Sequence, residues 1–180
     1  MTNSSMPVNF CPISKVRTYS IFLAVLLLTL SLKAQSPTDF SGKWEFDQTN
    51  SQLSRLDVSY DGTIIMEIIQ NSVILTSTDT YIHTGRDNWS TATDTFLLDG
   101  KDYLSKDDRG TTKKSAKWSP DKKFITFTYL DNQLLAGVPK DFLHEYTYKL
   151  FDDGQTLTVE NHFNNPVTGE LRSKLIYHKK

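Results

Sequence analysis

The sequence predicts an all-β chain, an antiparallel up-and-down β-barrel of about 8–10 strands. Three observations carry that reading. Aromatics are plentiful, with ten Phe, eight Tyr and three Trp in 180 residues, and such side chains suit a half-buried pleated surface. Turn signals built from Asp-Gly, Asn and Pro recur at hairpin intervals from residue 40 onward. No stretch beyond residue 40 keeps a helical period for more than about two turns. Consecutive hairpins favour an up-and-down path, because each strand then pairs with the next.

The chain opens on a segment unlike the rest. Lys15 and Arg17 precede the apolar run Ile21–Leu30, and Ser31-Leu32-Lys33-Ala34 follows it. A basic start, a short apolar core and a small residue near its end describe a secretory signal peptide. A spanning helix needs about 20 apolar residues, and this run is shorter. Residues 1–34 are therefore expected to be a signal peptide cleaved after Ala34. Residues 35–180 then form the barrel domain, periplasmic or secreted, with no membrane span. Cys11, the single cysteine, precedes the apolar run, so the mature chain would hold neither a disulfide nor a thiol. A cysteine-free exported domain of this size favours a bacterial source.

The first predicted strand is Phe40-Ser41-Gly42-Lys43-Trp44-Glu45-Phe46-Asp47. Trp44 and Phe46 point one way, and Lys43, Glu45 and Asp47 the other. Gly42 leaves room ahead of the indole. Asn50–Gly62 is polar without clear period and is expected to be a loop or a short helix over one barrel end. Thr63–Gln70 is apolar on nearly both faces, and Val73–Thr84 alternates raggedly. Gly85–Asn88 turns the chain beside Trp89. Thr93–Leu98 ends at Asp99-Gly100, a strong hairpin signal.

Thr111–Trp118 places Thr112, Lys114, Ala116 and Trp118 on one face. Phe124–Leu130 places Ile125, Phe127 and Tyr129 together. Asp131–Asp141, with Gly137 and Pro139, reads as a longer connection. Phe142–Phe151 alternates cleanly, with His144, Tyr146, Tyr148 and Leu150 on one side. A turn at Asp152-Asp153-Gly154 leads into Thr156–Phe163, where Leu157, Val159, Asn161 and Phe163 share a face. Glu170–Lys179 is the last strand.

Charge excludes one class of partner. Residues 1–34 carry three of the 20 basic residues (Lys15, Arg17, Lys33) and none of the 21 acidic ones, so the remainder holds a net charge of about −4. That is no field for nucleic acid. The basic cluster Lys113, Lys114 and Lys117 reads as the solvated side of a strand.

Phe40-x-Gly42-x-Trp44 resembles the opening Gly-x-Trp signature of lipocalins and related calycin barrels. The resemblance implies that Trp44 plugs the closed end and that a basic residue of the last strand packs across it. Lys179, in Tyr177-His178-Lys179-Lys180, occupies that position. Residues 40–179 also resemble bacterial exported lipocalin-like domains, through Asp99-Gly100-Lys101, Lys114–Trp118, Asp152–Leu157 and the Tyr177–Lys179 ending. No helix is evident before the last strand, and the lipocalin disulfide is missing. A ten-stranded barrel like the fatty-acid-binding proteins, or a partly open one, therefore stays in play.

If Trp44 marks the inward face, the inward rows are His144, Tyr146 and Tyr148 beside Phe127 and Tyr129, with Ile125, Asn161, Phe163 and Tyr177 near them. Such a lining suits a small apolar or amphipathic ligand, and equally a filled core. The five residues His144, Tyr146, Tyr148, Phe127 and Tyr129 are the candidate ligand-binding set. Gly42, Trp44 and Lys179 are the candidate barrel closure.

No metal, cofactor or catalytic residue is assigned. The four histidines, His83, His144, His162 and His178, show no zinc-ligand spacing, and there is no Gly-x-Ser-x-Gly or phosphate loop. Asp79 and Glu67 lie within strands, and alternation does not give their direction. The leading expectation is a binding protein for a small hydrophobic molecule. The alternatives are a filled barrel acting through loops that expose Leu134, Leu135 and Val138, and, further behind, a barrel enzyme using His144 with Tyr146 or Tyr148.

Overall fold

The computed structural model describes residues 36–54, 62–83, 89–108, 110–151 and 153–180. The expected export segment lies outside the described residues, as do most of the Asn50–Gly62 stretch and the Gly85–Asn88 turn. Ten strands are described. They are β1 (Gly42–Gln52), β2 (Gly62–Gln70), β3 (Ile74–His83), β4 (Trp89–Leu97), β5 (Tyr103–Lys106), β6 (Gly110–Trp118), β7 (Phe124–Leu135), β8 (Val138–Leu150), β9 (Thr156–Asn165) and β10 (Gly169–Lys179). All pair antiparallel in one sheet, in the order β4-β3-β2-β1-β10-β9-β8-β7-β6-β5. This is the up-and-down all-β fold that the turn spacing predicts. The first and last strands lie side by side, with Trp44 opposite Lys179 and Phe46 opposite Tyr177.

Paired residues share a face, so the register carries the inward row from strand to strand. Trp44 faces Met66, Met66 faces Asp79, and Asp79 faces Ala92. On the other side, Tyr129 faces His144 and His144 faces Phe163. Outward positions carry threonine pairs: Thr76–Thr95 at 3.2 Å, Thr78–Thr93 at 3.1 Å and Thr126–Thr147 at 2.9 Å. β-Branched hydroxyls fit the wet side of a strand, since they hydrogen-bond across the ladder and stiffen it.

The ladder ends at β4 and β5, and side chains span the seam between them. Lys114 Nζ of β6 meets Asp94 Oδ1 of β4 at 3.1 Å. Phe96 of β4 packs on Phe127 and Tyr129 of β7, with centroids 4.4 and 5.3 Å apart. Lys114 also sits over the Phe96 and Tyr129 rings, at 5.2 and 4.8 Å. The expectation that Lys114 belongs to a solvated basic face is thereby corrected. Lys113 and Lys117 do face out, both toward Asp102 at 3.2 and 3.5 Å, whereas Lys114 shares the inward parity of Ala116.

The other end of the barrel is shut. Trp44 and Phe40 have no exposed surface. The indole Nε1–H donates to the Phe40 carbonyl at 3.0 Å, so the ring is buried with its one polar atom satisfied. Phe40 stacks on Trp118 at 6.0 Å and meets Tyr148 edge-on at 6.1 Å. Gln70 ties this lead-in segment down: its Oε1 accepts from Phe40 N–H at 3.2 Å and its Nε2 donates to the Thr38 carbonyl at 2.9 Å. Lys179 Nζ lies 5.3 Å from the Trp44 ring. A Cβ on Gly42 would come within 3.1 Å of Lys179 Cε, and Gly42 has φ of 145°, so this position favours glycine on both counts.

Two further expectations are corrected. Asp131–Asp141 is not a loop, because β7 and β8 continue through it and turn at Ala136-Gly137 alone. Both turn residues are left-handed, with φ of 51° and 79°, as a two-residue hairpin requires. Polar Asn132 and Gln133 hide the strand from a hydrophobicity reading, while the backbone ladder needs no apolar side chain. Likewise β1 runs to Gln52 rather than ending near Asp47. It bulges between Asp47 and Gln52, and Ser51 Oγ holds the bulge by donating to the Asp47 carbonyl at 2.6 Å and accepting from Ile176 N–H at 2.8 Å.

Truncating a buried Trp costs about 3–5 kcal/mol, whereas an exposed cation over an aromatic ring contributes about 0.5–1 kcal/mol. Urea unfolding should therefore show Trp44→Ala as severely destabilised and Lys179→Met as only mildly so. Near-equal losses would count against this account of the shut end.

Candidate functional site: the barrel interior

Above the Trp44 plug the interior is not filled. A cavity of about 370 Å3 lies between the β2–β4 wall and the β7–β10 wall. That is at the small end of ligand pockets, which run from about 300 to 1,000 Å3. Phe127, Tyr129, Tyr146 and Tyr148 line one side, with Val159 and Tyr177 beside them; Met66, Leu75 and Phe96 line the other. A second space of about 260 Å3 adjoins it through the shared residues Tyr146 and Asn161, and there His144, Phe163 and Leu171 are found. Strand alternation brings these together, since a period of two along β7, β8 and β9 sends every second side chain inward.

Of the residues singled out from the sequence, Phe127, Tyr129, Tyr146 and Tyr148 thus border the inner cavity. His144 borders only the outer space. Its ring packs against Phe163 at 4.1 Å and Tyr146 at 5.5 Å. Burial pushes its pKa down, opposed by the Asp131 carboxylate, so the imidazole is held toward its neutral form. Gly42, Trp44 and Lys179 sit at the shut end, away from either space. The turn at Leu134 and Val138 leaves those side chains 67% and 53% exposed.

The polar half of the cavity was missing from the sequence reading. Ser77, Asp79 and Tyr81 of β3 and Asp94 of β4 line it. Glu67 is exposed and points out, while Asp79 points in. Leu75-Ser77-Asp79-Tyr81 is an inward row with period two, obscured because its members range from apolar to charged. The signal was available only by extending Met66 across the ladder to Asp79. Ser77 Oγ, Asp79 Oδ1, Asn161 Oδ1 and Ser173 Oγ are buried and reach no hydrogen-bonding partner in the protein. Unsatisfied buried polar atoms are rare and costly; Ser77, Asp79 and Asn161 line the inner cavity and Ser173 the adjoining space, whereas Thr158 Oγ1, likewise unsatisfied, borders neither.

Electrostatics sharpen the picture. Burial, and then the nearby Asp94 charge, push the Asp79 carboxyl up to about 6. Asp94 has Lys114 as its counter-ion; among the described residues no cation pairs with Asp79. Burial raises the Tyr129 and Tyr148 hydroxyls well above the ordinary phenol value, helped by Asp94 for the first and Asp79 for the second. These phenols stay protonated and can donate.

A larger depression of about 580 Å3 lies mainly over the outer face of β8–β10. Most of its charged groups are already paired, by Lys149–Glu160 at 2.6 Å, His162–Glu145 at 3.0 Å and His162–Glu170 at 2.8 Å. It is open, and its lining is mostly polar and charged, with Leu53 as its one aliphatic residue. Among the described residues no group of three His, Cys, Asp or Glu side chains converges as a metal site, and no helix is long and apolar enough to cross a membrane.

No family model matches the chain, and no curated protein matches it. Among solved structures it is similar to zebrafish ileal bile acid-binding protein, a crystal structure complexed with cholic acid. The identity is 16% and the TM-score 0.48, over 78% of this chain and 98% of that one.

Because the folded carboxyl of Asp79 titrates near 6 and an unfolded one near 3.9, the unfolded chain ionises first as pH rises. Asp79 therefore lowers stability progressively between about pH 4 and 6, and the loss is complete above that window. Asp79→Asn should stabilise the fold by about 1–3 kcal/mol at pH 7.5, with the gain fading toward pH 4. Urea midpoints across that range test it; a pH-independent difference would contradict the burial of this carboxyl.

Proposed function

We propose that the protein is an exported barrel that holds a small hydrophobic or amphipathic molecule between its aromatic wall and its polar β3–β4 wall. The observation that carries this is the interior cavity itself, walled on one side by aromatic rings and bordered on the other by buried polar atoms without protein partners. A filled core would have left neither the space nor the orphaned groups. Phe127, Tyr129, Tyr146 and Tyr148 supply apolar contact and phenolic donors, and His144 borders the adjoining space. Gly42, Trp44 and Lys179 hold the opposite end shut, so entry is from the His144 side. Export, to a periplasm or to the outside, rests on the basic and apolar pattern of residues 1–34. The barrel domain proposed for residues 35–180 would be the form that acts.

The neutral fluorophore N-phenyl-1-naphthylamine tests the reading. Residues 35–180 should take it up with a blue-shifted, enhanced emission. Leu175→Trp, which projects an indole into the cavity, should weaken uptake about tenfold or more, since it removes the apolar contact surface. Absent uptake, or undiminished uptake by a Leu175→Trp protein with an unchanged unfolding midpoint, would refute it.

A further inference from the structure

The charged groups of the interior are unbalanced. Asp79 and Asp94 both line the cavity, and Asp131 shares the inward face of β7, opposite Phe142 of β8. Asp131 accepts from Thr112 Oγ1 at 2.5 Å, so it is held within the protein. Lys114 is committed to Asp94 and to the Phe96 and Tyr129 rings. Among the described residues that leaves Asp79 as a cavity carboxylate with no counter-ion. One of its oxygens and the Ser77 hydroxyl beside it are unsatisfied, and Ser77 is only 6% exposed. Phe96, Phe127 and Tyr148 line the same space, and an aromatic ring attracts a cation placed over its face.

Resting on the cavity reading above, we propose that the ligand is a cationic amphiphile, an organic ammonium on an apolar body, whose N–H groups are received by Asp79 and Ser77. An anionic amphiphile would place its carboxylate near Asp79 in a poorly screened interior, where like charges repel strongly. A cation there repairs two defects at once, the uncompensated charge and the orphaned acceptors. The Tyr129–Tyr146–Tyr148 wall then takes the apolar body.

Decylammonium, decanol and decanoate form a matched series for competition against N-phenyl-1-naphthylamine, at pH 7.5 and about 0.15 M salt, where surface charges beyond about 8 Å are screened. Decylammonium should displace the fluorophore from the wild type at least about tenfold more effectively than decanoate, with decanol between them. Asp79→Asn should bring the three within about threefold of one another, each compared with the fluorophore bound to the same variant. Asp79→Ser, with a smaller side chain, should behave in the same way.

Equal or better displacement by decanoate in the wild type overturns the proposal, as does displacement by none of the three, or a preference that survives both substitutions. The cavity reading stands in each of those cases so long as the fluorophore is bound. Failure of the wild type to bind the fluorophore at all removes both.

Discussion

The indole N–H of Trp44 donating to the carbonyl of Phe40 is the contact on which the interior depends. It lets a large ring lie fully buried across one barrel end without an unsatisfied donor. Phe40, Trp118 and Gln70 are then fixed around it, and the lead-in chain crosses the end instead of hanging free. With that end shut, β1 and β10 must lie side by side. Every later strand inherits its inward face from that pairing. The cavity occupies what remains, above the plug and below the His144 end.

The seam between the two ends of the ladder solves a different problem. An open sheet edge exposes unpaired backbone groups and invites other chains. Here β5 is only four residues long, and the gap is crossed by a Lys114–Asp94 ion pair and by Phe96 reaching to the β7 rings. The same Lys114 that helps draw the edges together also neutralises one of the two cavity carboxylates. Closure and interior charge are therefore coupled: spending the cation on Asp94 is what leaves Asp79 alone. A barrel with a continuous ladder would not have needed that lysine inside.

Much of this was legible in the chain. Trp44 and Phe46, the Phe127–Tyr129 pair and the His144–Tyr146–Tyr148 row stand out, because strong hydrophobicity on alternate residues marks a strand and its buried face together. The polar wall stayed hidden for the opposite reason. Ser77 and Asp79 look like exposed positions when weighed by side-chain type, and Lys114 looks like one of three solvated lysines. Their direction follows from register with Met66 and Phe127, which is a long-range property. The Ala136-Gly137 turn escaped as well, since Ala136 is not a residue that announces a left-handed backbone.

The sequence by itself determined the fold class, the antiparallel order of hairpins and the aromatic inward rows, because each depends on neighbours within a strand or across one turn. Only the tertiary structure decided that the interior is partly empty, that the ladder ends in a side-chain seam and that a carboxylate faces the cavity unpaired. Those properties depend on how residues from β3, β4, β6 and β8 meet across the barrel. Distances of that kind are set by curvature and register, which no local pattern records.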